Sequence, residues 1–194
     1  CDTLGIGCAD TYGAGLNANG TGPRSVVNAS TGDYPYPFGL NNSGPAATRG
    51  NLQIRDVDME PALNQGARYF IEAQYVCTDE AEWGTQFNNC SWREVLVGGV
   101  GSMTNLGSTN VEQAAIKAWA QIDPDVAETE HMIANDGLII LSAKATDLGN
   151  GYHRYQYACY NQNSDRSIGR FLVPLPEGGS VQNIGFHDVD YHSG

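Results

Sequence analysis

The dipeptide Asn150-Gly151 constrains this chain more than any other feature. It closes the stretch Asp147-Leu148-Gly149-Asn150-Gly151, and both of its residues tolerate the positive φ that a tight hairpin turn requires. The flanking runs, 138–146 and 152–160, are rich in Leu, Ile, Ala, Thr and Tyr and read as its two strands. A strand pair with an apolar face needs another layer to bury it, so the remaining chain must supply one.

A second hairpin supplies it. Over residues 67–77, Tyr69, Ile71, Ala73, Tyr75 and Cys77 share one face, while Arg68, Glu72 and Gln74 share the other. The partner strand runs from Cys90 through Trp92, Val95 and Leu96 to Val97, joined by an acidic loop over 78–89. Gly98-Gly99-Val100-Gly101 then reads as a bend or bulge; it lacks the Lys and the following helix of a phosphate cradle. Further strands are expected near 169–175 and 181–192. Thr109-Asn110-Val111-Glu112 has capping-box spacing, and Val111, Ala114, Ala115, Ala118 and Trp119 recur at helical intervals before Pro124. That predicts one short helix with Trp119 inward.

Residues 1–50 are crowded with Gly, Asn, Pro and Ser, and Tyr34-Pro35-Tyr36-Pro37-Phe38 disfavours a helix there. They read as an ordered strap that packs its aromatic residues on the core. With no βαβ rhythm anywhere, the expected fold is mainly β: one domain over 1–194, an antiparallel β-sandwich of immunoglobulin-like or jelly-roll-like type, with one short helix and a long Gly/Asn-rich N-terminal strap.

Charge narrows the function classes. The chain of 194 residues carries a net charge of −12, and its ten Lys and Arg are scattered singly, which argues against nucleic acid and against an anionic membrane surface. Its apolar runs are all far shorter than the roughly 20 residues a transmembrane helix needs. Low charge density with much Gly, Asn, Ser, Thr and Tyr resembles extracellular β-proteins, and an extracellular or cell-surface location is expected. Asn19, Asn28, Asn41 and Asn89 stand in glycosylation sequons.

Five cysteines suit an oxidising compartment. Cys77 and Cys90 bracket the loop of the first hairpin, and a disulfide between them would close about 14 residues and contribute about 3 kcal/mol in the chain-entropy treatment. Cys1, Cys8 and Cys159 cannot all pair within one chain, so one is free or bridges another molecule. Cys1 reads as the start of a fragment or processed chain, able to bridge Cys8 or a neighbour; a lipid-bearing N-terminal Cys is the second reading.

Chemistry concentrates in Phe186-His187-Asp188-Val189-Asp190-Tyr191-His192. If this segment is extended, Asp188, Asp190 and His192 project from one face as a candidate set for calcium or another divalent metal. Asp56, Asp58 and Glu60 form a second alternating set, of three carboxylates. A solvent-facing strand has the same pattern, and it is the preferred reading of both. Signatures of nucleophile elbows, zinc proteases and Cys-x-x-Cys redox sites are missing. His131-Met132 beside Glu128 and Glu130 reads as an exposed strand or loop edge, and residues 163–167 as a turn between strands.

The stretches Leu4-Gly5-Ile6-Gly7-Cys8-Ala9-Asp10, Gly22-Pro23-Arg24-Ser25-Val26-Val27-Asn28, Asn161-Gln162-Asn163-Ser164-Asp165-Arg166-Ser167 and Gly185-Phe186-His187-Asp188-Val189-Asp190-Tyr191-His192-Ser193-Gly194 resemble a family of uncharacterised secreted bacterial proteins. The resemblance implies secretion and a longer parent chain, and supplies no activity. The leading expectation is therefore a structural or surface protein, non-enzymatic by preference, that self-associates through edge strands near 181–192 or through an intermolecular disulfide. A calcium- or metal-dependent glycan-binding module is the alternative. A secreted hydrolase would require histidines to meet carboxylates in a cleft.

Overall fold

The structure, a computed structural model, describes residues 27–34, 54–162, 164, 166 and 168–187. They are mainly β, in two antiparallel three-stranded sheets with few helices. Strands β1 (Tyr69–Gln74), β2 (Cys90–Gly99) and β3 (Ser102–Asn110) form one sheet; β4 (Ala127–Ile133), β5 (Gly137–Gly149) and β6 (Tyr152–Asn161) form the other. Each is a meander in chain order. Three short helices accompany them, α1 (Asp56–Met59), α2 (Thr78–Trp83) and α3 (Lys117–Ile122), where the sequence predicts one.

The turn at Asn150-Gly151 behaves as its chemistry requires. Asn150 has φ 56° and Gly151 φ 80°, both left-handed, and β5 pairs with β6 from Ile139↔Asn161 to Gly149↔Tyr152. A register shift between Asp147 and Gly149 increases the local twist, and the Gly149 N–H donates to Asp147 Oδ1 at 2.7 Å.

The first hairpin also forms, with a different junction. Gln74, not Cys77, lies opposite Cys90. Beyond Gln74 the Tyr75 N–H donates to the Asn89 carbonyl at 3.1 Å, and Cys77 becomes the residue preceding α2, which replaces the expected loop. Cys77 is an exposed free thiol, so the Cys77–Cys90 bridge is not formed; Cys90 is fully buried. The glycine-rich stretch is a bulged turn, with a register shift between Val97 and Gly99 leading into β3.

Strand β3 occupies the segment that carries capping-box spacing. Asn110 pairs with Trp92, and Glu112 has φ 61°, which a residue in the first turn of a helix does not adopt. Helical spacing is realised later, in α3, where Ala118 is buried and Trp119 only partly so. Residues 168–187 contain no strand: they are irregular backbone with a turn at 177–178, so the strand expected near 169–175 is not formed. The strand expected near 181–192 is likewise not formed over 181–187, and its remainder lies outside the described residues.

Two apolar clusters hold the molecule. Leu138, Ile140 and Ser142 alternate inward along β5; Leu138 and Ile140 pack with Cys90 and Ala114, flanked by Phe87, Ile116 and Tyr160. Ile140 is fully buried, worth roughly 1.5–3 kcal/mol. Met59, Val95 and Val97 form the second cluster, with Tyr69 against it. The sheets meet through polar contacts as well: Glu72 on β1 accepts the Ala115 N–H at 2.6 Å and the Tyr160 hydroxyl of β6.

Of the N-terminal strap, residues 27–34 form a closed turn, with Asn28 bridged to Asp33 and Ala29 buried. Gly32, at φ 76°, sits so close to the start of α2 that a Cβ there would fall 2.3 Å from the Thr78 Cα. The rest of the strap lies outside the described residues.

Candidate functional site

A groove of about 290 Å³ opens where the two sheets meet. Leu138 and Ile140 form its apolar floor, Phe87 one wall, and Lys117 and Glu130 its charged rim. Gln162, almost fully buried, holds the corner: its N–H donates to the Leu138 carbonyl at 2.9 Å and its Nε2 to the Phe87 carbonyl at 3.2 Å.

The rim is electrostatically closed. Lys117 Nζ lies 2.8 Å from Glu128 Oε1 and 2.5 Å from Glu130 Oε1. Burial pulls the Lys117 pKa down, yet the hydrogen bonds to Glu128 and Glu130 outweigh it and hold the ammonium above its ordinary value. An amine kept protonated in this way is neither a nucleophile nor a base. Lys144, the other lysine of the chain, is hydrogen-bonded to Asp123 and lies 3.7 Å from Asp125. That hydrogen bond raises the pKa of Lys144 and lowers that of Asp123.

Among the described residues no imidazole lines the groove. His131 is exposed on β4; His153 lies 4.0 Å from Asp147 on an exposed hairpin; His187 Nδ1 is 3.3 Å from Arg55. Among the described residues, therefore, the histidines do not meet carboxylates in a cleft. The buried Asp136 accepts the Ser164 hydroxyl, but Ser164 Oγ also accepts the Arg166 N–H at 3.1 Å, and Asn161 spans the same turn with two bonds to the Ser164 backbone. These contacts shape a turn between residues 161 and 166.

The carboxylate set Asp56, Asp58 and Glu60 does not assemble as the alternating pattern suggests. Residues 56–59 are helical, and two positions along a helix is a rotation of about 200°, so Asp56 and Asp58 diverge. Arg55 pairs with Asp58 at 3.1 Å. No group of three His, Cys, Asp or Glu is placed to hold a metal among the described residues. Asp188, Asp190 and His192 lie outside them, as do Cys1 and Cys8. Cys159 is an exposed free thiol on β6, and burial of its immediate surroundings pushes its pKa up.

The most unusual surface is apolar. Along 168–187, Ile168, Phe171, Leu172, Val173, Leu175, Val181, Ile184 and Phe186 are all exposed, Leu172 by 75%, Ile184 by 85% and Phe186 by 89%. Two contacts tether this segment among the described residues: Phe171 meets Tyr157 of β6 edge-on at 5.0 Å, and His187 lies against Arg55. Residues 102–109 of β3 are also exposed throughout, Met103 and Leu106 included. No described helix is long and apolar enough to cross a membrane.

Sequence reasoning takes residues 169–175 for a paired strand, because the apolar Phe171-Leu172-Val173 run looks the same whether or not a partner strand is present. Lys117 escapes it, since its partners lie 11 and 13 residues away on another element. No family model, curated protein or solved structure matches the chain.

Proposed function

We propose that this chain is an extracellular structural or cell-surface protein that self-associates, the extended apolar segment of one copy adding a strand to a sheet of another. One observation carries the reading: the row of large apolar side chains along 168–187 stands in solvent on backbone that belongs to no strand. Contiguous apolar surface of this kind marks an interaction site, and main-chain pairing at a sheet edge is the recognition mode that an extended segment suits. Two open three-stranded meanders offer such edges. With an added strand they become halves of an antiparallel sandwich of immunoglobulin-like or jelly-roll-like type.

Other observations agree with it. The lysine of the groove is held as an ammonium in ion pairs with Glu128 and Glu130, which suits a structural role better than catalysis. The exposed Cys159 thiol is available for a bridge between copies. Composition and the resemblance to secreted bacterial proteins favour a location outside the cell.

Native sizing with light scattering over a range of concentrations tests the reading. Wild-type protein is expected to exceed the monomer mass, and the triple substitution Phe171→Ser, Val173→Ser, Leu175→Ser to return it to the monomer. A wild type that stays monomeric at every concentration, with and without reductant, overturns it.

A further inference from the structure

We infer that the strand added is 170–175 and that it pairs, in a second copy, with the edge of β3 that carries no partner strand among the described residues, on one side only. This rests on the self-association proposed above and assigns its two surfaces.

The donor is marked by its prolines. In an extended strand the N–H and C=O of alternate residues point to the same edge. Phe171, Val173 and Leu175 share one parity and keep all their amide donors. Pro174 and Pro176 share the other, and proline has no N–H to give. The first edge can therefore complete a ladder, while the second is chemically blunted, as prolines blunt natural edge strands. Such a segment pairs once and does not template further strands.

The acceptor is marked by what it lacks. Among the described residues four strands stand at sheet edges: β1, β3, β4 and β6. Three of them bear charge, through Glu72 on β1, Glu128, Glu130 and His131 on β4, and His153 and Arg154 on β6. Among these described edge strands only β3, Ser-Met-Thr-Asn-Leu-Gly-Ser-Thr-Asn, has neither a charged residue nor a proline; residues 102–109 are exposed throughout, and since the Arg93 guanidinium already donates to the Leu106 and Gly107 carbonyls, the stretch open to pairing is 102–105. Residues 168–176 contain Arg170 and no acid, so in a chain of net charge −12 the donor escapes the like-charge repulsion that an acidic segment would meet from a second copy. Pairing in a second copy gives up the edge-on ring pair between Phe171 and Tyr157.

The test uses full chains and mixes them. Val173→Pro removes an amide on the pairing side; Leu172→Pro places the same residue on the blunted side. Met103→Lys with Leu106→Lys charges the β3 edge at exposed positions. Expected results are monomer for Val173→Pro, wild-type assembly for Leu172→Pro, and monomer for the double-lysine variant. An equimolar mixture of the Val173→Pro and double-lysine variants then gives a 1:1 dimer of twice the monomer mass, because one retains a donor and the other an acceptor. Unaltered far-ultraviolet circular dichroism establishes folding. Should the lysine variant not fold, a peptide of residues 168–176 is expected to cap wild-type assembly and its Val173→Pro version to leave it intact. Wild-type-like assembly of either the Val173→Pro or the double-lysine variant, a mixture that stays monomeric, or a peptide without effect overturns the inference while self-association stands. A monomeric wild type removes both.

Discussion

The Glu72 carboxylate on β1 accepts the hydroxyl hydrogen of Tyr160 on β6, a hydrogen bond between residues 88 positions apart that ties one sheet to the other. The same carboxylate takes the Ala115 N–H from the connection between the sheets, at 2.6 Å. Replacing Glu72 with Ala strands both donors, and a loss of about 1–3 kcal/mol is expected. Tyr160→Phe removes one partner and is expected to cost about 0.5–1.5 kcal/mol. Urea denaturation of both single variants and the double variant checks this: additive losses would show that the pair is not coupled.

Stability is expected to fall at both ends of the pH scale for assignable reasons. Lys117 has a folded-state pKa raised by Glu128 and Glu130, so its contribution is complete below the ordinary lysine value of about 10.4 and is lost as pH climbs through the raised one. Asp123 has a pKa lowered by the hydrogen bond from Lys144; its contribution is complete above about 3.9 and is lost as pH drops through the lowered value. Denaturation midpoints measured against pH should lose part of their alkaline slope in Glu128→Gln and part of their acid slope in Asp123→Asn. Slopes identical to wild type would refute the assignments.

Two glycines separate backbone strain from collision. Gly66 has φ 78° with open space where a Cβ would stand, whereas Gly32 has φ 76° with the Thr78 backbone in that space. Gly66→Ala is expected to cost about 1–2 kcal/mol from the left-handed conformation alone. Gly32→Ala should cost clearly more, because the 27–34 turn must also withdraw from α2. Equal losses in thermal melts would mean that the turn does not rest on α2.

Thiol chemistry should rank the described cysteines. Cys77 is exposed, Cys159 is exposed with its pKa pushed up by burial, and Cys90 is completely enclosed. Alkylation under native conditions, read by peptide mass mapping, is expected to label Cys77 first, Cys159 more slowly and Cys90 only on unfolding. Rapid labelling of Cys90 would contradict the packing of the cluster it shares with Ile140.

What the sequence reveals here depends on how local the cause is. Asn150-Gly151 dictates its turn by its own backbone preferences, and the hairpin it closes is readable without tertiary knowledge. Strand β3 is not, because Ser-Met-Thr-Asn-Leu-Gly-Ser-Thr-Asn has no apolar alternation; its ladder with β2, not its side chains, makes it a strand. The capping-box spacing at Thr109 misleads for the same reason: pairing of Asn110 with Trp92 overrides a local helix signal. At the groove, Glu128 and Glu130 are conspicuous beside His131, but their cation is Lys117, which only the fold brings near.

Both sheets are meanders of consecutive strands, and that order shapes how the molecule comes into being. Each ladder closes over short stretches of chain, so on the ribosome the β1–β3 unit can zip up before β5 and β6 have been synthesised. Enclosing Cys90 has to wait for β5 and β6, because Ile140 and Tyr160 of those strands pack against it.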